Sequence, residues 1–148
     1  MQPSAPDALK VAIEPAQLSA TSGESLSFAL TIRNDSPRWQ RLDLGLPCGV
    51  DKAFAVSIHR GATRVDEVGE CHRYYVCQSR TVRLALAPSG TVMLPLTATA
   101  QSRERDANCQ WKPPQPLSSG EYMLEVGLPE SLEALSGGKA LYVPLRVQ

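Results

Sequence analysis

Large apolar residues alternate with small or polar ones along several short segments of the chain. In residues 26–32 every second position is large and apolar: Leu26, Phe28, Leu30 and Ile32. Successive side chains of a strand point to opposite faces, so this alternation predicts a strand with one buried face. The same pattern recurs in residues 9–13, 42–46, 54–58, 82–86, 92–96, 122–128 and 141–147.

The alternating segments are separated by turn residues, and no long helical pattern competes with them. Strands that each bury one face predict two antiparallel sheets packed face to face. Residues 130–135 carry Leu132 and Leu135 ahead of Gly137-Gly138, which predicts a short helix whose leucines cover one end of the core. The predicted fold class is therefore all-β, an antiparallel β-sandwich of about 7–9 strands.

Prolines and turn residues refine this topology. Proline cannot donate to neighbouring strands, so Pro95 and Pro144 predict that their strands lie at sheet edges, although a bulge at Pro95 would serve equally well. The turn Pro88-Ser89-Gly90 predicts that the strands on either side of it pair as a hairpin. Asn34-Asp35-Ser36 fits an N-glycosylation acceptor, but Pro37 directly after it favours a plain turn.

The length of 148 residues predicts one domain, with residues 1–8 as a flexible N-terminal tail and residues 9–148 as a single sandwich. Lys plus Arg number 15 and Asp plus Glu also number 15, so the formal net charge is zero. Nucleic acid is not expected as a partner, because binding to phosphates is driven by clustered positive charge.

The N-terminus and the hydropathy pattern bear on location. No apolar run is long enough to predict a transmembrane segment. The first seven residues lack the basic and apolar regions of a signal peptide, and a Pro-, Ser- and Ala-containing start predicts a trimmed mature end. We therefore expect a periplasmic or secreted protein whose signal segment has been removed. Whether a lipid anchor preceded residue 1 stays open.

The four cysteines, Cys48, Cys71, Cys77 and Cys109, favour disulfides over free thiols or zinc. An even number of cysteines permits complete pairing, and disulfides persist in extracytoplasmic compartments. Structural zinc sites usually contain cysteine pairs separated by two to four residues, whereas the closest pair here, Cys71 and Cys77, has five residues between. We expect no metal site.

The segment 101–119 differs from the rest because it shows no alternation and contains several prolines and one of the two tryptophans, Trp111. Long loops in a compact domain are uncommon and often functional. We predict that Trp111 anchors a binding surface, with Arg103, Arg105 and Lys112 supplying polar contacts around it. The alternative is that Trp111 folds back over the open end of the sandwich as ordinary core.

No set of catalytic residues can be recognised. The chain has no Gly-x-Ser-x-Gly elbow, no phosphate-binding glycine loop and no His-Glu-x-x-His helix, so neither catalytic residues nor cofactors are predicted. His59 stands at a strand end and His72 follows Cys71, and both are interpreted as exposed polar residues. An enzyme whose site is assembled from scattered residues is the remaining alternative.

Three features resemble immunoglobulin-like and fibronectin-III-like sandwiches: Gly23-Glu24 before the second strand, Asn34 closing that strand, and Gly120-x-Tyr122 opening the penultimate strand. Tyr122 resembles a tyrosine-corner residue, whose hydroxyl bonds to nearby backbone. Over roughly residues 9–147 the order of elements is most similar to the BsuPI-type proteinase inhibitors, bacterial sandwiches that inhibit subtilisin-like proteases. The resemblance implies an immunoglobulin-like fold. The inhibitor family does not depend on paired cysteines, and no inhibitory residue can be transferred to this chain.

The immunoglobulin-like order also implies a disulfide pairing. In that order the strand at residues 42–46 lies antiparallel to the strand at residues 122–128, which would bring Cys48 near Cys109 and leave Cys71 to pair with Cys77.

The function predicted from these features is a non-enzymatic, extracytoplasmic interaction module of a bacterial cell envelope that binds a protein partner through its loops. The alternative is a BsuPI-like protease inhibitor, which would use residues 101–116 to occupy a protease active site.

Overall fold

The computed structural model describes residues 8–48, 53–69 and 77–148. Within these ranges the chain forms one helix of seven residues, α1 (Glu130–Ser136), and a series of strands. The strands are β1 (Leu9–Glu14), β2 (Leu18–Ala20), β3 (Ser25–Asn34), β4 (Gln40–Pro47), β5 (Val56–Arg60), β6 (Thr63–Arg64), β7 (Glu67–Val68), β8 (Ser79–Leu86), β9 (Thr91–Thr99), β10 (Gln101–Glu104), β11 (Gln115–Pro116), β12 (Gly120–Gly127) and β13 (Ala140–Val147).

The strands form two main sheets and two smaller ones. One main sheet has the order β1-β3-β9, and the other has the order β2-β13-β12-β5-β6. Strands β4 and β8 pair with each other, and a small sheet has the order β11-β10-β7. Most pairings are antiparallel, while β2–β13 and β7–β10 are parallel. The all-β antiparallel sandwich is thus confirmed, and each of the eight alternating segments overlaps a strand, although Phe54 and Ala55 precede β5 and Leu128 follows β12.

The core lies between the inner faces of the main sheets. In β3, Phe28, Leu30 and Ile32 are buried, whereas Ser27 is exposed, as the alternation predicts. The opposing sheet contributes Leu124, Val126, Val143 and Leu145 to the same hydrophobic cluster. The predicted helix is also present, and its fully buried Leu132 belongs to this cluster. In these elements the apolar faces inferred from the sequence build the core, whereas Val82, on the predicted buried face of β8, is exposed.

Asn34 forms the corner where β3 leads into β4 and where β8 leads into β9. Its backbone N–H donates to Gly90 O and its carbonyl accepts from the Ser89 N–H, both at 2.9 Å. The predicted β8–β9 hairpin is wrong, because the turn after Leu86 passes the chain from one sheet to another. Strand β8 pairs with β4, while β9 pairs with β3.

The predicted disulfides are also wrong, because Cys48 pairs with Cys77. Pro47 and Ser79 face each other at the end of the β4–β8 ladder, which brings Cys48 and Cys77 to a Cα–Cα distance of 5.1 Å. Strand β12 has β13 and β5 as its neighbours, so the assumed proximity of β4 and β12 does not occur. Cys109 is also disulfide-bonded, and Cys71 lies outside the described residues.

The two edge predictions have different outcomes. Strand β9, which contains Pro95, is an edge strand of its sheet, as predicted. Strand β13 lies between β12 and β2, so the prediction from Pro144 holds only for the first part of the strand. Pairing with β2 begins at Leu145, directly after the proline.

At the N-terminus, residues 1–7 of the predicted tail lie outside the described residues, whereas Ala8 is buried and its carbonyl accepts from the Asp35 N–H.

Tyr122 ties the start of β12 to the chain before it. Its hydroxyl donates to the Ser118 carbonyl at 2.7 Å, which is the contact expected of a tyrosine corner. The Arg60 guanidinium lies 4.5 Å from the centre of the Tyr122 ring. Gly120 has a φ of 152°, and a Cβ there would come within 2.7 Å of Arg60 Nη2, so the glycine makes room for this stack.

Candidate functional site

Residues 101–116 form a two-stranded arm, although the sequence predicted a loop. Gln101 faces Pro116 in the β10–β11 pair, and an isolated bridge joins Arg105 to Trp111. The other side of β10 pairs in parallel with β7 through Arg103 and Glu67. The arm is thus held on one side by its own returning strand and on the other by the body of the domain.

The tip of the arm is fixed by hydrogen bonds. Asp106 Oδ1 accepts from the backbone N–H of Asn108 at 2.8 Å and of Gln110 at 3.0 Å. The Cys109 N–H donates to the Asp106 carbonyl at 3.0 Å. Cys109 has a positive φ of 62° and is disulfide-bonded, which adds a covalent restraint to the turn. The turn presents its residues in a defined conformation.

Trp111 stacks with two arginines, Arg103 in β10 and Arg105 directly after this strand. The guanidinium carbons of Arg103 and Arg105 lie 4.2 Å and 4.1 Å from the centre of the indole ring. Such cation–π contacts contribute about 0.5–2 kcal/mol each, depending on how far they are desolvated. Trp111 is 37% exposed and is not a member of the buried core cluster. The alternative that Trp111 folds into the core is therefore wrong.

The stack continues into a network of ion pairs. Arg103 Nη2 lies 3.4 Å from Glu67 Oε1, and Arg64 Nη2 lies 3.3 Å from Glu67 Oε2. Arg64 also donates to Asp66 at 2.8 Å, and this hydrogen bond is the main reason why the pKa of Arg64 is raised. Charges of opposite sign alternate along this surface, so it is not dominated by one sign.

The structure brings together three of the four predicted binding residues, namely Arg103, Arg105 and Trp111. Lys112 does not join the stack. The side-chain ammonium of Lys112 lies 3.6 Å from Glu104 Oε2, and the backbone N–H of Lys112 donates to the backbone carbonyl of Glu104. The arginines cover the indole instead of standing at a distant rim, so Trp111 and its polar contacts form one continuous surface.

A second polar cluster, absent from the sequence prediction, lies on the outer face of the five-stranded sheet. The outer-face cluster consists of Ser57, His59, Glu125 and Tyr142. Glu125 Oε2 accepts from Ser57 Oγ at 3.2 Å and lies 3.1 Å from His59 Nε2, while Glu125 Oε1 accepts from the Tyr142 hydroxyl at 3.0 Å. This hydrogen bond to Glu125 raises the pKa of Tyr142.

The cluster has the residue types of a hydrolytic triad but not its geometry. In such a triad the serine and the carboxylate contact different ring nitrogens of the histidine. Here Nε2 of His59 lies 2.9 Å from Ser57 Oγ and 3.1 Å from Glu125 Oε2, so both groups contact the same nitrogen. The sequence analysis interpreted His59 as an exposed polar residue, but its side chain is only partly exposed. His72 lies outside the described residues.

Two further findings apply to the described ranges of the chain. No group of three or more His, Cys, Asp or Glu side chains there has the arrangement of a metal site. No helix there is long and apolar enough to cross a membrane.

No known protein family and no curated protein matches the chain. Among solved structures, a β-glucosidase from Listeria innocua in complex with laminaribiose is similar over 95% of this chain, with 12% identity and a TM-score of 0.44. An alkylpurine DNA glycosylase from Pseudomonas fluorescens bound to DNA is similar over 96%, with 12% identity and a TM-score of 0.40. The chain spans 16% and 31% of these two structures. Similarities at this level carry no argument about function.

Proposed function

We propose that this protein is a non-enzymatic interaction module of a bacterial cell envelope that binds a protein partner through the arm. The observation that carries the proposal is the position of Trp111, which is 37% exposed, lies outside the core cluster and stacks with two arginines. This large aromatic side chain is ordered and is not used by the core, and the part of the indole that the two arginines leave exposed is available to a partner.

The chemistry of the arm fits a protein partner. Tryptophan and arginine are the residues most enriched among those that contribute most to binding energy at protein interfaces. The hydrogen-bonded tip and the stacked arginines restrict these side chains before any partner arrives, which lowers the entropic cost of association. The opposite charges of Glu67 and Arg103 offset each other, so specificity would come from shape and paired hydrogen bonds more than from net charge.

The cysteines support the extracytoplasmic part of the proposal. Cys48 and Cys77 form a disulfide, and Cys109 is disulfide-bonded as well. Disulfides form and persist in the periplasm and outside the cell, whereas cytosolic thiols are normally kept reduced. A periplasmic or secreted location is therefore the compartment in which this chain would keep its fold.

Site-specific crosslinking followed by affinity measurement tests the proposal. A photoreactive residue at exposed Asn108, at the arm tip, should crosslink a defined protein in envelope fractions of the source bacterium. The same probe at exposed Met93, on the β1-β3-β9 sheet, should not. With the purified partner, Trp111→Ala should weaken binding roughly 30-fold, or about 2 kcal/mol, without a large change in melting temperature.

The chain contains a matched control for this substitution. Trp39, the other tryptophan, is 59% exposed, lies directly before β4 and is not part of the arm. Trp39→Ala should leave the affinity unchanged. Equal losses in both variants, or no loss in Trp111→Ala, would exclude the arm as the binding surface.

Protease inhibition remains a second candidate because the arm tip is held by hydrogen bonds and by the disulfide at Cys109, and an inhibitory loop needs such rigidity to resist cleavage. Stoichiometric slowing of a subtilisin-like protease that is lost when the arm is shortened would favour this function. Digestion of the chain without any slowing would exclude it.

A further inference from the structure

A groove of 520 Å³ opens beside the outer-face cluster, on the side of the five-stranded sheet that faces away from the core. Ser57, Glu125 and Tyr142 of the cluster line it together with Arg64 and Lys139. The remaining lining residues are small or aliphatic: Ala55, Val56, Gly127, Gly138 and Ala140. The groove thus combines one aromatic ring, several hydrogen-bonding groups and open space next to small residues.

Tyr142 offers a flat apolar surface at the edge of this groove. It is 63% exposed, more than any other large hydrophobic residue among those the structure describes. Its hydroxyl donates to Glu125 Oε1, so the ring is restrained although it projects into solvent. A restrained aromatic ring loses little conformational freedom when a ligand covers it. The fold therefore keeps an aromatic platform in place without burying it.

The polar groups beside the ring are also held in position. Ser57 and His59 fix one oxygen of Glu125, and Tyr142 fixes the other. Each carboxylate oxygen has two acceptor sites, and Ser57 and His59 occupy both sites of Oε2, so one site of Oε1 is left for a hydroxyl group of a ligand. Arg64 and Lys139 supply N–H donors on the same groove. Donors and acceptors are therefore available together, as a ligand with several hydroxyl groups requires.

The charge balance of the groove argues for an uncharged ligand. Arg64 is already compensated by Asp66 and by Glu67. Lys139 makes no ion pair in the described part of the chain. Its positive charge and the negative charge of Glu125 are therefore the charges of the groove that remain. With one remaining charge of each sign, the groove has little electrostatic attraction for a phosphate or another strong anion.

We propose that this groove is a binding site for a neutral saccharide, with the apolar face of one sugar ring on Tyr142. The hydroxyl groups of the sugar would pair with Glu125 and with the cations of Arg64 and Lys139. The shape supports this choice, because Gly138 has nearly open space where a side chain would stand and so leaves room for a ring, and the groove offers no deep apolar pocket for an amino-acid side chain. The site is separate from the arm and does not depend on the function proposed for Trp111.

Titration of the intact oxidised protein with maltohexaose, cellohexaose and N-acetylchitohexaose tests the proposal. In two-dimensional NMR spectra we expect at least one sugar to shift the amides of β5, β12 and β13, in a saturable way that calorimetry also detects. Tyr142→Ala should weaken this binding at least about tenfold. Glu125→Gln should weaken it at least about fivefold, because a primary amide replaces one of the charged acceptor oxygens.

Three variants make the result specific. Tyr142→Phe keeps the ring but lacks the hydroxyl that restrains it, and its affinity should fall between those of the wild type and Tyr142→Ala. Met93→Ala, on the other main sheet, and Trp111→Ala, on the arm, should bind sugar like the wild type. The melting temperature of each variant verifies that it is folded.

Four outcomes would overturn the proposal. The first is the absence of shifts with all three sugars, and the second is sugar binding that survives Tyr142→Ala in a folded variant. The third is binding only to an anionic polymer such as polygalacturonate, which would show that Lys139 attracts negative charge and that the groove does not recognise a neutral sugar. The fourth is loss of sugar binding in Trp111→Ala, which would place the site on the arm, whereas loss of partner binding alone concerns only the function proposed above.

Discussion

Replacing Asn34 by leucine should be among the most destabilising polar substitutions in this protein. Asn34 is completely buried, and its side-chain N–H groups donate to the carbonyls of Leu86 at 2.9 Å, Arg38 at 2.7 Å and Ala87 at 3.1 Å. Its Oδ1 accepts from the N–H and the hydroxyl of Ser36. One side chain thus fixes both connections that join β3–β9 to β4–β8.

The size of the effect follows from the groups left without a partner. Leucine has nearly the shape of asparagine, so Asn34→Leu changes hydrogen bonding much more than volume. The Leu86 carbonyl is buried, whereas Arg38 and Ser36 are more exposed and can bond to water. One unsatisfied buried carbonyl costs about 1–3 kcal/mol, and the loss of a second, partly buried bond adds about 1 kcal/mol. We therefore expect a loss of about 3 kcal/mol in the free energy of unfolding.

Urea unfolding followed by tryptophan fluorescence measures this loss, and calorimetry should show a melting temperature lower by roughly 6–12 °C. Asn108→Leu is the matched control, because Asn108 is exposed and only its backbone N–H is bonded in the arm turn. The control should remain within about 0.5 kcal/mol of the wild type. If Asn34→Leu were equally mild, Asn34 would not be the residue that holds this corner together.

Two further predictions concern the core and the disulfide. Phe28→Ala should lower the free energy of unfolding by about 3–5 kcal/mol, whereas Ser27→Ala on the exposed face should be nearly neutral; equal effects in urea unfolding would contradict the register of β3. Peptide mapping without reductant should yield a Cys48–Cys77 crosslink, and Cys77→Ser should cost up to about 3–4 kcal/mol from chain entropy over the separation of 29 residues. Recovery of a Cys48–Cys109 crosslink would show that the β4–β8 ladder does not determine which cysteine forms a disulfide with Cys48.

The strands were predictable from the sequence because a period of two is a local signal. In β3, the burial of Phe28, Leu30 and Ile32 follows directly from their spacing. Strand pairing is not local, and the two errors show why. The β8–β9 hairpin and the Cys48–Cys109 disulfide both assumed neighbours from sequence proximity or from an expected strand order. The pairing depends instead on contacts between distant residues, such as the hydrogen bonds from the Asn34 side chain to carbonyls more than fifty positions away.

The arm illustrates a different limit. Its importance was predicted from Trp111 and the prolines, but its strands were not, because β10 is short and β11 contains only two residues. Their pairing depends on a partner strand from the body, β7, and on the turn fixed by Asp106. A sequence pattern can locate such a segment but cannot show that Arg103 and Arg105 will lie against the indole.

The outer-face cluster was beyond sequence analysis because its residues come from three separate strands. Each occupies an ordinary outward position: Ser57 in β5, Glu125 in β12 and Tyr142 in β13. Only the register, in which Glu125 faces Ser57 on one side and Tyr142 on the other, brings them together. A carboxylate placed between two neighbouring strands can bind donors from both at once, since directly opposed side chains in a sheet are within hydrogen-bonding reach. The same register leaves Tyr142 restrained yet exposed, so the binding chemistry proposed for this face arises from strand order rather than from any motif.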